Sequence, residues 1–437
     1  MKKNANNSVV TPLLLSVAGI LLNCAGTANA TDGYFSHGYG MTEKGMGGAS
    51  FATGLDAMSG ANNPAGMAWA GDRLDLGVDW FRPDRSAERS GAMPGLNASV
   101  TSDSTNFLIP ELGYNRMFGA DLAAGITIYG NGGMNTNYPG GQLNCGAGPK
   151  TANLLCGAGG LGVNLTQLIV APTLAWKPTL SQSIGIAPLI GYQRFQAQGL
   201  QAFDNAPGFP QFTSAPGSVT NLGDSNSTGF GVRVGYQIHL DQFQLGLVYT
   251  SRMHMGDLSL YQGLLANHGA FDIPEHYGAG VAYTPSPGLL ISFDLERIDY
   301  ADIPSVGNPG SAPAQLGTPN GPGFGWSNIN VERLGMQWKS SQDLTLRAGY
   351  NQSQNPVSGG NVTFNILAPG VETRHITLGA TYAVGKDADL TVAYMHAFKN
   401  TVTGSSMFNS ILGPGAGGNE SISMFENSLG VAYSKHF

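Results

Sequence analysis

Residues 230–237 read Phe230-Gly231-Val232-Arg233-Val234-Gly235-Tyr236-Gln237. In an extended chain successive side chains point to opposite faces, so Phe230, Val232, Val234 and Tyr236 share one side. Gly231, Arg233, Gly235 and Gln237 take the other. One face is apolar throughout and the other is small or polar, which suits a wall with lipid outside and a wet or partly filled lumen inside.

The pattern recurs on both sides of this stretch. Leu74, Leu76, Val78 and Trp80 share a face, as do Leu168, Val170, Leu174 and Trp176, and Ile376, Leu378, Ala380 and Tyr382. Each repeat is about the ten residues that a tilted strand needs to cross a bilayer. Fourteen such segments fall near 72–82, 104–116, 120–130, 165–177, 183–196, 228–239, 242–252, 275–284, 288–298, 327–339, 343–352, 371–384, 387–398 and 421–437. An even count suits a closed antiparallel barrel. The connections 177–181, 239–241, 284–287, 339–342 and 385–386 are tight, and those between are long and rich in Gly, Pro, Ser and Asn. Tight turns belong on the periplasmic side of an outer-membrane barrel and long loops outside. The last segment aligns Leu429, Val431, Tyr433, Lys435 and Phe437, an aromatic end of the kind that outer-membrane assembly uses, with Lys435 able to snorkel to the interface. A soluble sandwich or propeller would require neither this placement of aromatics nor so little charge.

Composition agrees. Charged residues are 11% of the chain, against about a quarter in ordinary soluble domains. Lys2 and Lys3, the apolar run 9–22 and Ala28-Asn29-Ala30 form an export signal over residues 1–30, with the mature chain starting at Thr31. Loss of the two lysines takes the formal charge from −7 to −9, and without a basic run this excludes nucleic acid as a partner. Cys24 leaves with the signal, so the mature chain keeps Cys145 and Cys156, which an oxidising compartment would join. Gly157, Gly159 and Gly162 have dinucleotide-site spacing, but a strand and not a helix follows them, so they form a loop. The eight histidines show no metal-binding spacing and there is no nucleophile elbow. No enzyme, cofactor or metal is expected.

Residues 31–71 do not alternate. They contain Gly45-Met46-Gly47-Gly48-Ala49, then Asp56, then Asn63-Pro64-Ala65. This segment resembles the N-terminal plug of the FadL family of outer-membrane long-chain fatty acid and hydrocarbon transporters. Ile109-Pro110-Glu111-Leu112-Gly113-Tyr114, residues 128–133, Ile273-Pro274-Glu275, Leu346-Arg347-Ala348-Gly349-Tyr350 and residues 375–382 add landmarks in that family's order across the mature chain. The loop 197–227 departs from it, being only moderately long and rich in Pro and Gly. The resemblance implies an all-β, monomeric barrel over 72–437, plugged by 31–71. It also implies capture of a long-chain fatty acid or other hydrophobic small molecule between outer loops, a pocket near the plug, and lateral release into outer-membrane lipid. A general porin or an outer-membrane lipid hydrolase are the other readings.

Candidate site residues follow. Tyr34 and Phe35 belong to the pocket near the plug, and Arg347 is the inward cation assigned to a cargo carboxylate. Phe203, Phe209, Phe212, Leu258, Leu260, Leu264 and Leu265 are too apolar for outer loops without a partner, so they are assigned to capture, with mutual packing as a lid the alternative. Asn63, Pro64 and Ala65 are expected at the joint between plug and first strand. Gly130, Gly132 and Gly133 cannot pack a lipid-facing surface and readily interrupt a ladder, so the lateral gate is placed there.

Overall fold

Fourteen long strands run antiparallel around a closed wall in a computed structural model that describes residues 32–145 and 151–437. The export signal 1–30 and Thr31 lie outside the described residues. The strands are β1 (Arg73–Ser90), β2 (Phe107–Phe118), β3 (Leu122–Asn135), β4 (Gly162–Thr179), β5 (Gln182–Gln198), β6 (Ser225–Leu240) and β7 (Phe243–Thr250). They continue as β8 (His276–Ser286), β9 (Leu289–Ile298), β10 (Ile329–Lys339), β11 (Leu344–Ser353), β12 (Arg374–Ala383), β13 (Ala388–Ser405) and β14 (Asn419–His436). Two short pieces, Ala98–Thr101 and His254–Met255, pair with β1 and β6 above the wall. Closure comes from β1 against β14, in register from Arg73 opposite His436 to Ser90 opposite Asn419. No sheet edge is left along that seam, which a wall immersed in hydrocarbon requires.

The alternating residues take the faces that periodicity assigns them. Leu76, Val78, Trp80, Leu174, Leu247, Leu295, Leu334 and Leu378 are exposed, while Asp75, Asp79, Arg233, Asp294 and Arg333 are buried. Phe118, Trp176, Trp338, Tyr382 and Tyr433 form an exposed aromatic girdle near the tight-turn end. Trp80, Tyr249, Tyr277, Tyr350 and Tyr394 form a second girdle nearer the long loops. Two girdles flanking an apolar band are what the two bilayer interfaces select.

Several strands extend farther than the hydrophobic alternation. β1 continues to Ser90 and β13 to Ser405. Above the apolar band the outward positions face water, so Arg82, Ser86 and Glu88 replace the apolar residues and the contrast between faces is lost. β7 stops at Thr250, and Arg252 lies off the barrel wall, bonded to Asp272 at 2.7 Å.

Residues 32–68 are almost wholly buried and run in short turns against the inward face of the wall. They include helical turns at Met41–Lys44 and Ser59–Asn62 and a 3-10 helix at Pro64–Ala68. Wall glycines make room for this backbone. A β-carbon at Gly246 would fall 1.8 Å from the Phe51 carbonyl oxygen, and one at Gly235 would fall 1.8 Å from the Asn63 amide oxygen.

Candidate functional site

The N-terminal segment is fixed to the wall by buried polar contacts distributed around the barrel. Lys44 pairs with Asp79 of β1 at 2.5 Å. Asp294 of β9 accepts the backbone N–H groups of Ser50 and Phe51 at 2.6 and 2.9 Å. Asp32 accepts from Arg333 of β10 at 2.9 Å, and the same guanidinium reaches Glu296 at 2.5 Å. Each of these buried side chains has an opposite charge or backbone donors beside it, which is the condition for keeping charge away from water.

Asn63, Pro64 and Ala65 open the 3-10 helix, with the Asn63 side chain accepting from Ala65 N–H at 3.1 Å. Their contacts lie with β5, β6 and β7. Asn63 Nδ2 donates to the carbonyls of Phe51, Tyr236 and Leu247, and a β-carbon at Gly185 would meet Pro64 and Ala65 backbone at 2.3 Å. The motif is therefore an anchor against β5, β6 and β7 near their tight-turn ends, while Gly71 and Asp72 lead into β1.

The ladder between β2 and β3 is cut short on the long-loop side. β2 and β3 are paired from Phe118 opposite Leu122 as far as Leu112 opposite Ile128, and no further. Beyond that rung Phe107–Glu111 pair only with β1, and β3 continues to pair with β4 as far as Asn135 opposite Asn164. The register of β3 shifts between Gly130 and Gly132, so Asn131 is an extra residue, a bulge of the kind that re-aims a strand. Tyr129 through Met134 are all buried there. The freed edge of β3 is met by the N-terminal segment: Gly133 N–H donates to the Tyr34 carbonyl at 3.1 Å, Ser36 N–H to the Asn131 carbonyl at 3.4 Å, and Phe35 bridges Gly132. Gly132 has no space for a side chain, since its β-carbon would stand 1.8 Å from the Tyr34 oxygen.

Tyr34 and Phe35 lie at the centre of an aromatic cluster built from outer connections. The Tyr34 ring is 5.2 Å from Phe35, 5.2 Å from Tyr300, 5.9 Å from Trp326 and 6.2 Å from Phe271. Burial pushes the phenols of Tyr34 and Tyr300 well above the ordinary range, with nearby Asp272 adding to the first and Tyr34 and Asp32 to the second, so both stay neutral. Phe203, Leu258, Leu264 and Leu265 are buried in the same apolar body, with Phe209 and Phe212 half-buried against it. Leu260 is exposed. Most of the assigned capture residues thus pack on one another. Arg347 is not brought to them. It donates to Gln337 and Thr381 and lines a polar cavity of about 210 Å³ with Arg73, Asp343 and Asp389 near the tight-turn end.

Among the described residues, the long-loop side carries a polar cavity of about 230 Å³ between Ser104, Asn137, Asn164 and Gln198, and three with more apolar linings. An open groove of about 400 Å³ is lined by Phe212, Ala312, Leu316, Pro322, Phe364 and Met407 among others. Leu316, Pro322 and Phe364 also line a small space of about 30 Å³ with Leu264, Leu265 and Leu367. A third, of about 10 Å³, lies between Tyr34, Trp326, Phe81 and the Gly133-Met134 turn of β3. Small-molecule sites usually offer about 300–1,000 Å³, a range that the groove reaches and the other cavities named here do not. Trp326, Tyr300, Phe271 and Phe364 are central here and were not singled out in the sequence. An aromatic flanked by Gly and Pro, as in Gly323-Phe324-Gly325-Trp326, was the available signal.

The two cysteines stand joined, with sulfurs 2.07 Å apart, in the connection between β3 and β4. Among the described residues no group of three or more His, Cys, Asp or Glu is placed to hold a metal ion.

A family model for outer membrane protein transport proteins (OMPP1/FadL/TodX) matches residues 36–415. The chain belongs to this family. Members are transport proteins of the outer membrane, which places this FadL/TodX-family barrel there and sets enzymes aside. Solved structures share the fold. The Pseudomonas putida toluene transporter TodX is 20% identical with a TM-score of 0.68, over 92% of this chain and 99% of its own. A Pseudomonas aeruginosa FadL homologue is 14% identical at 0.65, over 93% and 100%. The Ralstonia pickettii toluene transporter TbuX is 18% identical at 0.62, over 92% and 99%. No curated protein sequence matches this FadL/TodX-family chain significantly.

Proposed function

We propose that this protein takes up hydrophobic compounds, with long-chain fatty acids as the cargo. It does so as a monomer, by capture between outer loops, displacement of residues 31–71 as a plug, and lateral release into the membrane at Gly130, Gly132 and Gly133. The observation that carries the reading is the ladder between β2 and β3 that stops at Leu112–Ile128, with Tyr34–Ser36 hydrogen-bonded to the edge left free. A closed barrel has no reason to leave strand edges unpaired at membrane depth unless something passes there. Capture is assigned to the 400 Å³ groove, because Phe212 and Phe364 line it and Leu316, Pro322 and Phe364 stand between it and the smaller spaces on the way toward Tyr34 and Gly133. A cargo leaving through the wall never meets the lumen water, so its apolar surface stays out of solvent.

The aromatic lining favours a second cargo class, monoaromatic hydrocarbons. Two of the structural relatives are described as toluene transporters.

The test is uptake of radiolabelled oleate and of labelled toluene by cells that lack their own carriers and express this barrel, alongside single-channel recording. Protein-dependent oleate uptake without steady conductance supports the reading, and preference for toluene selects the second cargo. Steady conductance with sugar permeation would overturn both in favour of a porin.

A further inference from the structure

On four adjacent strands a polar residue breaks or ends the lipid-facing apolar run at about the same height, with Phe398 on β13 and Phe425 on β14 the apolar outward residues beyond it. On β1, Leu76, Val78 and Trp80 give way to Arg82. On β14, Tyr433, Val431 and Leu429 give way to Asn427, and on β13, Val392 and Tyr394 give way to His396. On β12, Leu378 and Ile376 give way to Arg374. The register places Arg82 opposite Asn427, Asn427 opposite His396, and His396 opposite Ile376, one step from Arg374. Lys399 lies in the irregularity between Ala397 and Asn400, beside them. A polar row therefore crosses β12, β13, β14 and β1 just above the apolar band, on the long-loop side.

Its cations are unspent. Arg82, Arg374 and Lys399 are all exposed, and among the described residues none forms an ion pair. Other surface arginines do find acids, as Arg116 with Asp72 at 3.0 Å, Arg252 with Asp272 at 2.7 Å and Arg297 with Asp299 at 2.9 Å. The guanidinium of Arg82 lies 5.4 Å from the Trp80 ring centre and that of Arg374 6.0 Å from Phe398. Both are steadied over lipid-facing rings at the boundary between hydrocarbon and water. Asn427 is held by Tyr394 Oη–H at 2.8 Å and by the His396 ring at 3.0 Å. The acids on the same face of β1, Asp84 and Glu88, stand farther out.

We propose that this row docks the phosphates of an anionic glycolipid in the outer leaflet. Three cations grouped at headgroup height on a net-negative protein have no ion-pair partner among the described residues, and a phosphate reaching down to the end of the hydrocarbon is complementary in charge and depth. The same location gives the site a neighbour: β1 pairs on its other side with β2, whose far edge is the open one. A lipid fixed here stands one strand from the exit described above; that adjacency rests on the transport reading, whereas the docking does not.

The probe is diphosphorylated lipid A, titrated into the purified full-length barrel in detergent and followed by native mass spectrometry. Arg82→Gln, Arg374→Gln and Lys399→Gln together are expected to weaken its binding on the order of a hundredfold. They are also expected to leave the heat-dependent gel mobility of the lipid-free barrel unchanged, and Lys386→Gln in a tight turn should alter nothing. Dephosphorylated lipid A should bind the unsubstituted protein as weakly as diphosphorylated lipid A binds the triple variant. Equal binding by the triple variant, by dephosphorylated lipid A or by phosphatidylglycerol overturns the proposal. Oleate uptake is read separately, so failure of transport and failure of lipid docking remain distinguishable.

Discussion

The backbone N–H of Gly133 donates to the carbonyl of Tyr34 at 3.1 Å, which makes the N-terminal segment the hydrogen-bonding partner that β3 lacks on its β2 side. Moving the segment and freeing the edge of β3 are consequently one event.

That coupling predicts the outcome of Gly132→Val. The new β-carbon would meet the Tyr34 oxygen at 1.8 Å, so the segment must move while the rungs of β3 with β4 persist. The barrel should assemble, with normal heat-dependent gel mobility, and show new conductance and antibiotic sensitivity. A tight, silent barrel would contradict the coupling.

Lys44 and Asp79 form a buried pair, and Ser428 also donates to Asp79. Lys44→Met should strand the carboxylate at a cost of about 3–5 kcal/mol. The expected readout is proteolytic release of the segment from a barrel that still melts as a barrel. Adding Asp79→Asn should restore protection, and failure to do so would remove the pair from the account.

Seating of the segment should depend on pH in two opposite senses. Burial, then Lys44, His375 and Arg333, hold the His37 ring well below the ordinary imidazole range, so the seated ring is neutral. A released segment takes up a proton below about 6.5, so this contribution is complete above that pH and is lost as pH falls. Burial, then Asp56, push Glu43 well above the ordinary carboxyl range, and its contribution is present below 4.5 and lost as pH rises through the shifted value. Conductance measured against pH should rise on the acid side, and His37→Gln should flatten that limb. A limb unchanged by His37→Gln would rule out the histidine.

The Cys145–Cys156 bond closes a short loop, and such bonds contribute about 2–4 kcal/mol. Without reductant both thiols should resist alkylation. Reduction should expose the connection between β3 and β4 to protease and lower the melting temperature by several degrees, with the barrel still assembled. Alkylation of the unreduced protein would refute the pairing.

The membrane-crossing parts of the strands were legible because lipid and lumen impose different residues on alternate positions, as at 230–237. Nothing comparable acted on the upper part of β1, where Arg82 and Glu88 outside face Arg85 and Arg89 inside and both faces are polar in sequence. Tyr34 and the glycines of β3 were readable from local composition, and the structure brings them together. The groove was not. Its walls come from Phe212, Leu316, Phe364 and Met407, on four separate connections, and only folding places them side by side. Loop apolarity had marked one of these, Phe212, together with Leu258 and Leu265, which are buried.

The seam between β1 and β14 joins the first and last strands of the wall, Arg73 with His436. Its rungs have the longest sequence separation in the wall, so they form against the largest loss of chain freedom. A nascent chain cannot make them until its final residues have been synthesised. Until then the molecule is an open sheet with two exposed edges, prone to pair with other chains. The cell must therefore guard this protein in transit and close it last, and a chain shortened by its final strand would arrive as an aggregation hazard rather than a smaller pore.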